Sequence, residues 1–104
     1  MFTMVLYACA TQLRVPTAVD AQRGTARWAS YDSLQLYAGY KKYISKCSSC
    51  HSLYKPEQFT LDKWTSLYPE MAHDAKLDSL EKELIWRYII VMQESNLYQN
   101  RQSN

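Results

Sequence analysis

The chain has 104 residues, a formal net charge of +2, 47% apolar residues and 21% charged residues. This length favours one globular domain, and no apolar stretch approaches the roughly 18 residues that a membrane-spanning helix needs. Residues 1–30 carry three arginines and one aspartate, whereas residues 31–104 carry nine basic and nine acidic side chains. Such a balanced domain lacks the concentrated basic face that phosphate binding requires, so nucleic acid is excluded as a partner.

The N-terminal segment is apolar up to Cys9 and polar after it. Residues 6–9, "LYAC", resemble the lipobox of bacterial lipoproteins, where a signal peptidase cuts before a cysteine that then carries lipid. The resemblance implies a membrane anchor at Cys9; an unpaired cysteine in an ordinary N-terminus is the alternative. Residues 10–30 show no steady hydrophobic period. Residues 1–30 are therefore predicted to be a signal-like segment followed by a flexible tether.

The first predicted helix covers about residues 33–47. Asp32 and Gln35 have the spacing of a capping box, and the apolar residues after them fall on one helical face. The helix leads directly into a pair of cysteines.

Two further helices are predicted before the polar C-terminal residues. Thr60 can cap a helix that Pro69 should end near residue 68, because the residue before proline avoids helical dihedral angles. A second capping box opens a helix over about 79–94. Three helices and no strand-like alternation predict an all-α domain over residues 31–104.

The sequence "CSSCH" places Cys47, Cys50 and His51 within five residues. In a helical turn all three side chains point the same way. Two thiolates could then bond to two vinyl groups of one porphyrin, and the imidazole could ligate its iron. C-x-x-C-H is the signature of c-type haem attachment, so one covalently bound haem c is predicted. It would also complete a core that three helices alone leave marginal.

The cysteines have two alternative uses. A zinc-binding interaction domain would need Cys47, Cys50, His51 and His73, and it lacks the second cysteine pair that zinc sites usually have. A thiol–disulfide site expects its cysteines at the start of a helix in a βαβ unit, whereas these lie at a helix end.

Gly39, Tyr43 and Cys47 follow one another at intervals of four residues. Together with "CSSCH" this spacing resembles the monohaem cytochrome c family over about residues 31–93. The resemblance implies a small class I-like fold of three main helices around the haem. It also implies that Gly39 lets the first helix cross closely against the last, with Tyr88 in the contact.

The same resemblance suggests the axial ligands of the iron. His51 would be the proximal ligand, and Met71, expected in a loop after Pro69, the distal one. His73 is the alternative distal ligand and would give a lower potential. An open sixth position is the third possibility.

Two further residues are predicted to contact the haem or its ligand. The resemblance implies that the carbonyl of Pro56 accepts the other N–H of His51. Trp64 could donate its indole N–H to a haem propionate, or simply pack on the ring.

These features predict a one-electron carrier rather than an enzyme, on the periplasmic side of a bacterial membrane. Its partners would be redox proteins, with a lipid anchor supplying contact with the membrane. A haem-based sensor or gas-binding module is the alternative function, and it requires that Met71 not be tightly bound to iron.

Overall fold

The computed structural model describes residues 13–47 and 53–95. Over these residues the chain forms four α-helices and one short 3-10 helix, and it contains no strand. The helices are α1 (Ala18–Arg27), α2 (Ser33–Cys47), α3 (Leu61–Asp74) and α4 (Ser79–Gln93), and the 3-10 helix is Pro56–Gln58. The predicted all-α fold class is confirmed. None of the helices described is long and apolar enough to cross a membrane.

Helices α2 and α4 begin at the capping boxes that the sequence predicted. The side chain of Asp32 accepts the Gln35 backbone N–H at 3.0 Å, and the Gln35 side chain accepts the Asp32 N–H at 3.2 Å. Asp78 and Glu81 make the same reciprocal pair at 2.8 and 3.1 Å. Each box satisfies two backbone donors that a helix start would otherwise leave unpaired.

The main helix–helix contact lies between α2 and α4, and Gly39 makes it possible. A Cβ atom at Gly39 would overlap the carbonyl oxygen of Leu84 and lie 2.8 Å from the Cβ of Tyr88. Tyr88 is fully buried, and its ring lies 5.4 Å from that of Tyr43. The predicted close crossing at Gly39, with Tyr88 in the contact, is confirmed.

The structure corrects the prediction of a flexible tether at Ala18–Arg27, which is helix α1. Thr17 caps this helix, and Thr17 and Asp20 form a third capping box. The buried residues of α1 are Asp20, Ala21 and Gly24, and at Gly24 the helix approaches α4. No large apolar side chain is buried on this helix, so the sequence shows no stripe of large apolar residues there.

A buried ion-pair network connects α1 to the C-terminal end of α4. Only 3% of the Asp20 side chain is exposed, and its two oxygens accept hydrogen bonds from Arg14 and Arg23 at 2.8 Å each. Arg23 also donates to the carbonyl of Val91 at 2.9 Å. Burial alone would raise the pKa of Asp20, but hydrogen bonds from Arg14, the Thr17 backbone N–H and Arg23 outweigh it and lower the pKa to about 2.

The structure also corrects the predicted end of the second helix, because α3 continues through Pro69 to Asp74. Trp64, Tyr68 and Ala72 are buried on one face of α3, on both sides of the proline. Pro69 itself is exposed. Because proline has no backbone N–H, the carbonyl one turn earlier lacks its helical partner, and that carbonyl lies on the side of α3 that water can reach. Packing of the buried face overrides the local preference against a helix before proline.

Candidate functional site

The first cysteine of the attachment motif is placed by α2. Cys47 is the last residue of that helix and is 8% exposed. Cys50, His51 and Cys9 lie outside the described residues. The haem-binding, iron-ligating and lipid-anchoring roles of these residues therefore stay predictions.

Tyr43 lies one helical turn before Cys47 and is fully buried. Its hydroxyl donates to the carbonyl oxygen of Tyr54 at 2.6 Å. This hydrogen bond connects α2 to the segment after the motif, so the chain on both sides of "CSSCH" is held in place. Burial raises the pKa of Tyr43, with the nearby Cys47 and Tyr88 adding to the effect, so its phenol stays protonated and remains a donor.

Tyr68 makes a corresponding contact from α3. Its hydroxyl donates to the carbonyl of Lys82 at 2.7 Å, and its ring stacks on Trp86 with centroids 5.0 Å apart. Burial raises the pKa of Tyr68, and the Cys47 thiol adds to the effect. A largely apolar cavity of about 460 Å³ adjoins this tyrosine. Its lining consists of Thr65, Tyr68, Pro69, Ser79, Lys82, Glu83 and Trp86.

The two candidate distal ligands lie in the last turn of α3, not in a loop as predicted. Met71 is half-buried and packs against the hydrophobic core, whereas His73 is exposed. The chain leaves α3 at Lys76, which has a φ of 57° and donates its backbone N–H to the carbonyl of His73. The structure thus brings the thioether, and not the imidazole, against the interior; which of them binds iron stays a prediction.

Pro56 and Trp64, which were predicted to contact His51 and the haem, contact each other. The indole N–H of Trp64 donates to the carbonyl of Pro56 at 2.7 Å, and both residues are buried. Phe59 meets Trp64 edge to face at 5.4 Å, and Tyr54 meets Phe59 in the same way at 5.1 Å. These rings and the proline form a wall after the motif, and the predicted roles toward a haem stay untested.

Glu81, a member of the predicted capping box, also pairs with two lysines that the sequence pattern did not connect to it. Its carboxylate accepts from Lys42 at 3.0 Å and lies 3.4 Å from the ammonium nitrogen of Lys46, the residue before Cys47. The backbone N–H of Asp78, followed by Lys42, lowers the pKa of Glu81 to about 2. Glu81 therefore connects the end of α2 to the start of α4. The sequence holds no signal for these pairs, since the partners are far apart along the chain.

The described residues around Cys47 suit the wall of a haem site. Across residues 13–47 and 53–95, no three His, Cys, Asp or Glu side chains converge on a possible metal position. The surroundings of Cys47 are instead aromatic, and α3 contributes a half-buried thioether at Met71. Apolar walls and a thioether sulfur suit haem iron, whose potential depends on axial ligand identity and burial.

One comparison with known proteins identifies a family. A family model described as dihaem cytochrome c matches residues 43–103, more than half of the chain, including "CSSCH" and both α3 and α4. No match was found among curated proteins or among solved structures. The description names two haems, whereas the sequence resemblance was to a monohaem family and the chain holds one C-x-x-C-H motif.

Proposed function

This chain belongs to the dihaem cytochrome c family, and we propose that it carries single electrons between redox proteins through a haem bonded to Cys47 and Cys50. The family supports haem-based electron transfer. The observation that carries the proposal is the "CSSCH" motif within the family match, with its first cysteine buried at the end of α2. The haem supplies the redox chemistry when bound, and the chain supplies its attachment, its ligands and its surroundings.

Four side chains would attach and ligate this group. Cys47 and Cys50 form the thioether bonds, His51 is the proximal iron ligand and Met71 the distal one. Support for Met71 comes from its half-buried position against the core, while His73 is exposed. A thioether ligand raises the potential relative to bis-histidine ligation, so the site favours the reduced state.

We further propose one covalent haem in each copy of this chain. Three cysteines are present, and only Cys47 and Cys50 have the attachment spacing. Two histidines are present. A second haem with a histidine ligand would use His73 and would lack the C-x-x-C pair for covalent attachment. An iron-to-protein ratio of one supports this stoichiometry, and a ratio of two contradicts it.

The proposed location is the periplasmic side of a bacterial membrane, with lipid on Cys9. Leu13 already packs against the core, so an anchor at Cys9 would lie four residues, or at most about 14 Å of extended chain, from the folded domain. The domain would therefore stay close to the membrane surface, and its partners would be periplasmic or membrane redox proteins. Cys9→Ser should move the protein from the membrane fraction to the supernatant; retention in the membrane would contradict the anchor.

A spectroelectrochemical titration tests the electron-carrier function. The holoprotein should show one reversible transition with one-electron slope. Carbon monoxide added to the reduced protein should bind slowly and incompletely, because Met71 occupies the sixth position. Rapid and complete binding would instead support the gas-binding alternative, and a colourless protein that contains zinc would support the zinc-binding alternative.

A further inference from the structure

Four tyrosine rings form a continuous path from the interior to the surface, and we call this set the tyrosine ladder. Ring centroids are 5.4 Å apart from Tyr43 to Tyr88, 5.9 Å from Tyr88 to Tyr40, and 5.5 Å from Tyr40 to Tyr37. Tyr43 and Tyr88 are fully buried, Tyr40 is half-buried, and Tyr37 is 47% exposed. The rings thus lie in an unbroken series of contacts that ends in water.

The inner end of the ladder lies beside the haem attachment point. Tyr43 and Cys47 are four residues apart on α2, both are buried, and side chains at this spacing share one helical face. Since Cys47 carries the haem only if the proposed function is correct, the inference that follows rests on that function.

We propose that the tyrosine ladder carries oxidising equivalents from the haem to Tyr37 when a peroxide takes the place of Met71 at the reduced iron. One peroxide molecule accepts two electrons and two protons and becomes two waters. Tyr37 supplies one electron and its phenolic proton, and becomes a neutral phenoxyl radical. A bound haem would supply the other electron, its iron going from ferrous to ferric, and solvent would supply the second proton. The ladder protects the haem, because the damaging radical leaves its surroundings.

Proton release explains why the radical settles at Tyr37. A phenol that loses an electron must also lose its proton to remain stable. Within residues 13–47 and 53–95 the hydroxyl of Tyr88 has no hydrogen-bond partner, and that of Tyr43 donates to a backbone carbonyl that cannot take up a proton. Burial raises the pKa of both phenols. Tyr37 is exposed to water, so the buried rings pass the charge on and Tyr37 retains it.

A second aromatic pair offers a competing route. Tyr68 belongs to the same cluster of buried residues as Cys47 and stacks on the half-buried Trp86. The hydroxyl of Tyr68 donates to a backbone carbonyl, so this tyrosine cannot release its proton to water either. The two routes differ in where the radical should be found.

The test uses the reduced holoprotein, with its covalent haem verified by a pyridine haemochrome spectrum. It is treated with hydrogen peroxide in the presence of a nitroso spin trap, the adduct is located by peptide mass spectrometry, and haem loss is followed by absorbance. The wild-type protein should carry the adduct on Tyr37. Tyr40→Phe should abolish that adduct although Tyr37 is still present, and both Tyr40→Phe and Tyr37→Phe should lose haem severalfold faster.

Tyr54→Phe is the matched control, because Tyr54 is an exposed phenol after the motif whose ring packs on Phe59, outside the ladder. It should leave both the Tyr37 adduct and the rate of haem loss unchanged. An adduct on Trp86 or Tyr68 in place of Tyr37, or equal adducts on Tyr37 and Tyr54, would overturn the ladder. Covalent haem with no adduct on Tyr37 overturns this inference alone, whereas the absence of covalent haem overturns the proposed function as well.

Discussion

At the scale of single residues, two tyrosine hydroxyl groups hold the buried cluster around Cys47 in place. Phenylalanine at either position would lack the hydrogen bond. Tyr43 and Tyr68 are buried, and each donates to a backbone carbonyl, at Tyr54 and Lys82 respectively. The sequence predicted the "CSSCH" site and the apolar position of Tyr43. It could not predict the two acceptors, because every residue carries a carbonyl and the sequence does not distinguish one from another.

The identity of the distal ligand gives a prediction at this scale. Met71→Ala should remove the sulfur-to-iron absorption band and lower the midpoint potential, because it removes the thioether that favours ferrous iron. The measurement is an absorption spectrum of the oxidised holoprotein followed by a redox titration.

His73→Ala is the matched control on the same turn of α3, since His73 is exposed where Met71 is half-buried. It should leave both the band and the potential unchanged. Loss of the spectral feature in His73→Ala, with Met71→Ala unaffected, would instead assign the ligand to the histidine.

At the scale of helices, the crossing of α2 and α4 was predictable because a glycine and a tyrosine carry it. Gly39 faces the backbone of α4 and leaves no room for a side chain. The starts of both helices were also predictable, since their capping boxes are local in sequence.

Gly39→Ala tests this crossing. Alanine favours the helix by about 1 kcal/mol over glycine, but the new methyl group overlaps a backbone carbonyl that cannot rotate away. We expect the free energy of unfolding to fall by about 2 kcal/mol, the usual scale of overpacking. Urea denaturation followed by circular dichroism measures the change.

Gly24→Ala is the comparison, because its added methyl group would meet ring atoms of Tyr31 at 2.5 and 2.6 Å instead of backbone. A side chain can shift more readily than a helix, so its loss of stability should be smaller. Equal stability of Gly39→Ala and the wild type would mean that α2 and α4 do not cross as described.

Two features at this scale were not predictable from local pattern. Helix α3 passes through Pro69 because the packing of three buried residues on one face outweighs the free-energy cost of proline in a helix. A rule that considers the proline alone does not take this burial into account. Helix α1 packs through Ala21 and Gly24, so it lacks the large apolar residues that reveal an amphipathic helix. The box formed by Thr17 and Asp20 is the one sequence signal that could have indicated it.

At the scale of the whole molecule, the fold joins its first helix to the end of its last one. Asp20 connects Arg14 before α1 to Arg23, which in turn contacts the backbone of α4 at Val91. The sequence could not predict this network, because a single aspartate among polar residues gives no sign of its burial. The network makes α1 part of the domain.

Asp20→Asn should lower the free energy of unfolding by about 2 kcal/mol near neutral pH. The pKa of Asp20 falls from an ordinary value of 3.8 to about 2 on folding. The stability that it contributes is therefore complete above pH 4 or so and is lost as the pH falls toward 2. Urea denaturation of both proteins across this range should show the difference shrinking with acid.

Asp32→Asn is the control for that comparison, since Asp32 is an exposed cap residue and asparagine caps a helix equally well. It should change stability little at any pH. A difference between wild type and Asp20→Asn that does not depend on pH would contradict the ion-pair network.

The proposed function of the whole molecule depends on a haem bonded through Cys47 and Cys50. The most direct test is a pyridine haemochrome spectrum of the denatured and extracted protein, made together with the machinery that attaches c-type haem. We expect the haem to stay with the wild-type chain and to be extracted from a Cys47→Ser, Cys50→Ser variant. A wild-type chain that emerges colourless, or that loses its haem on extraction as readily as the variant, would contradict it.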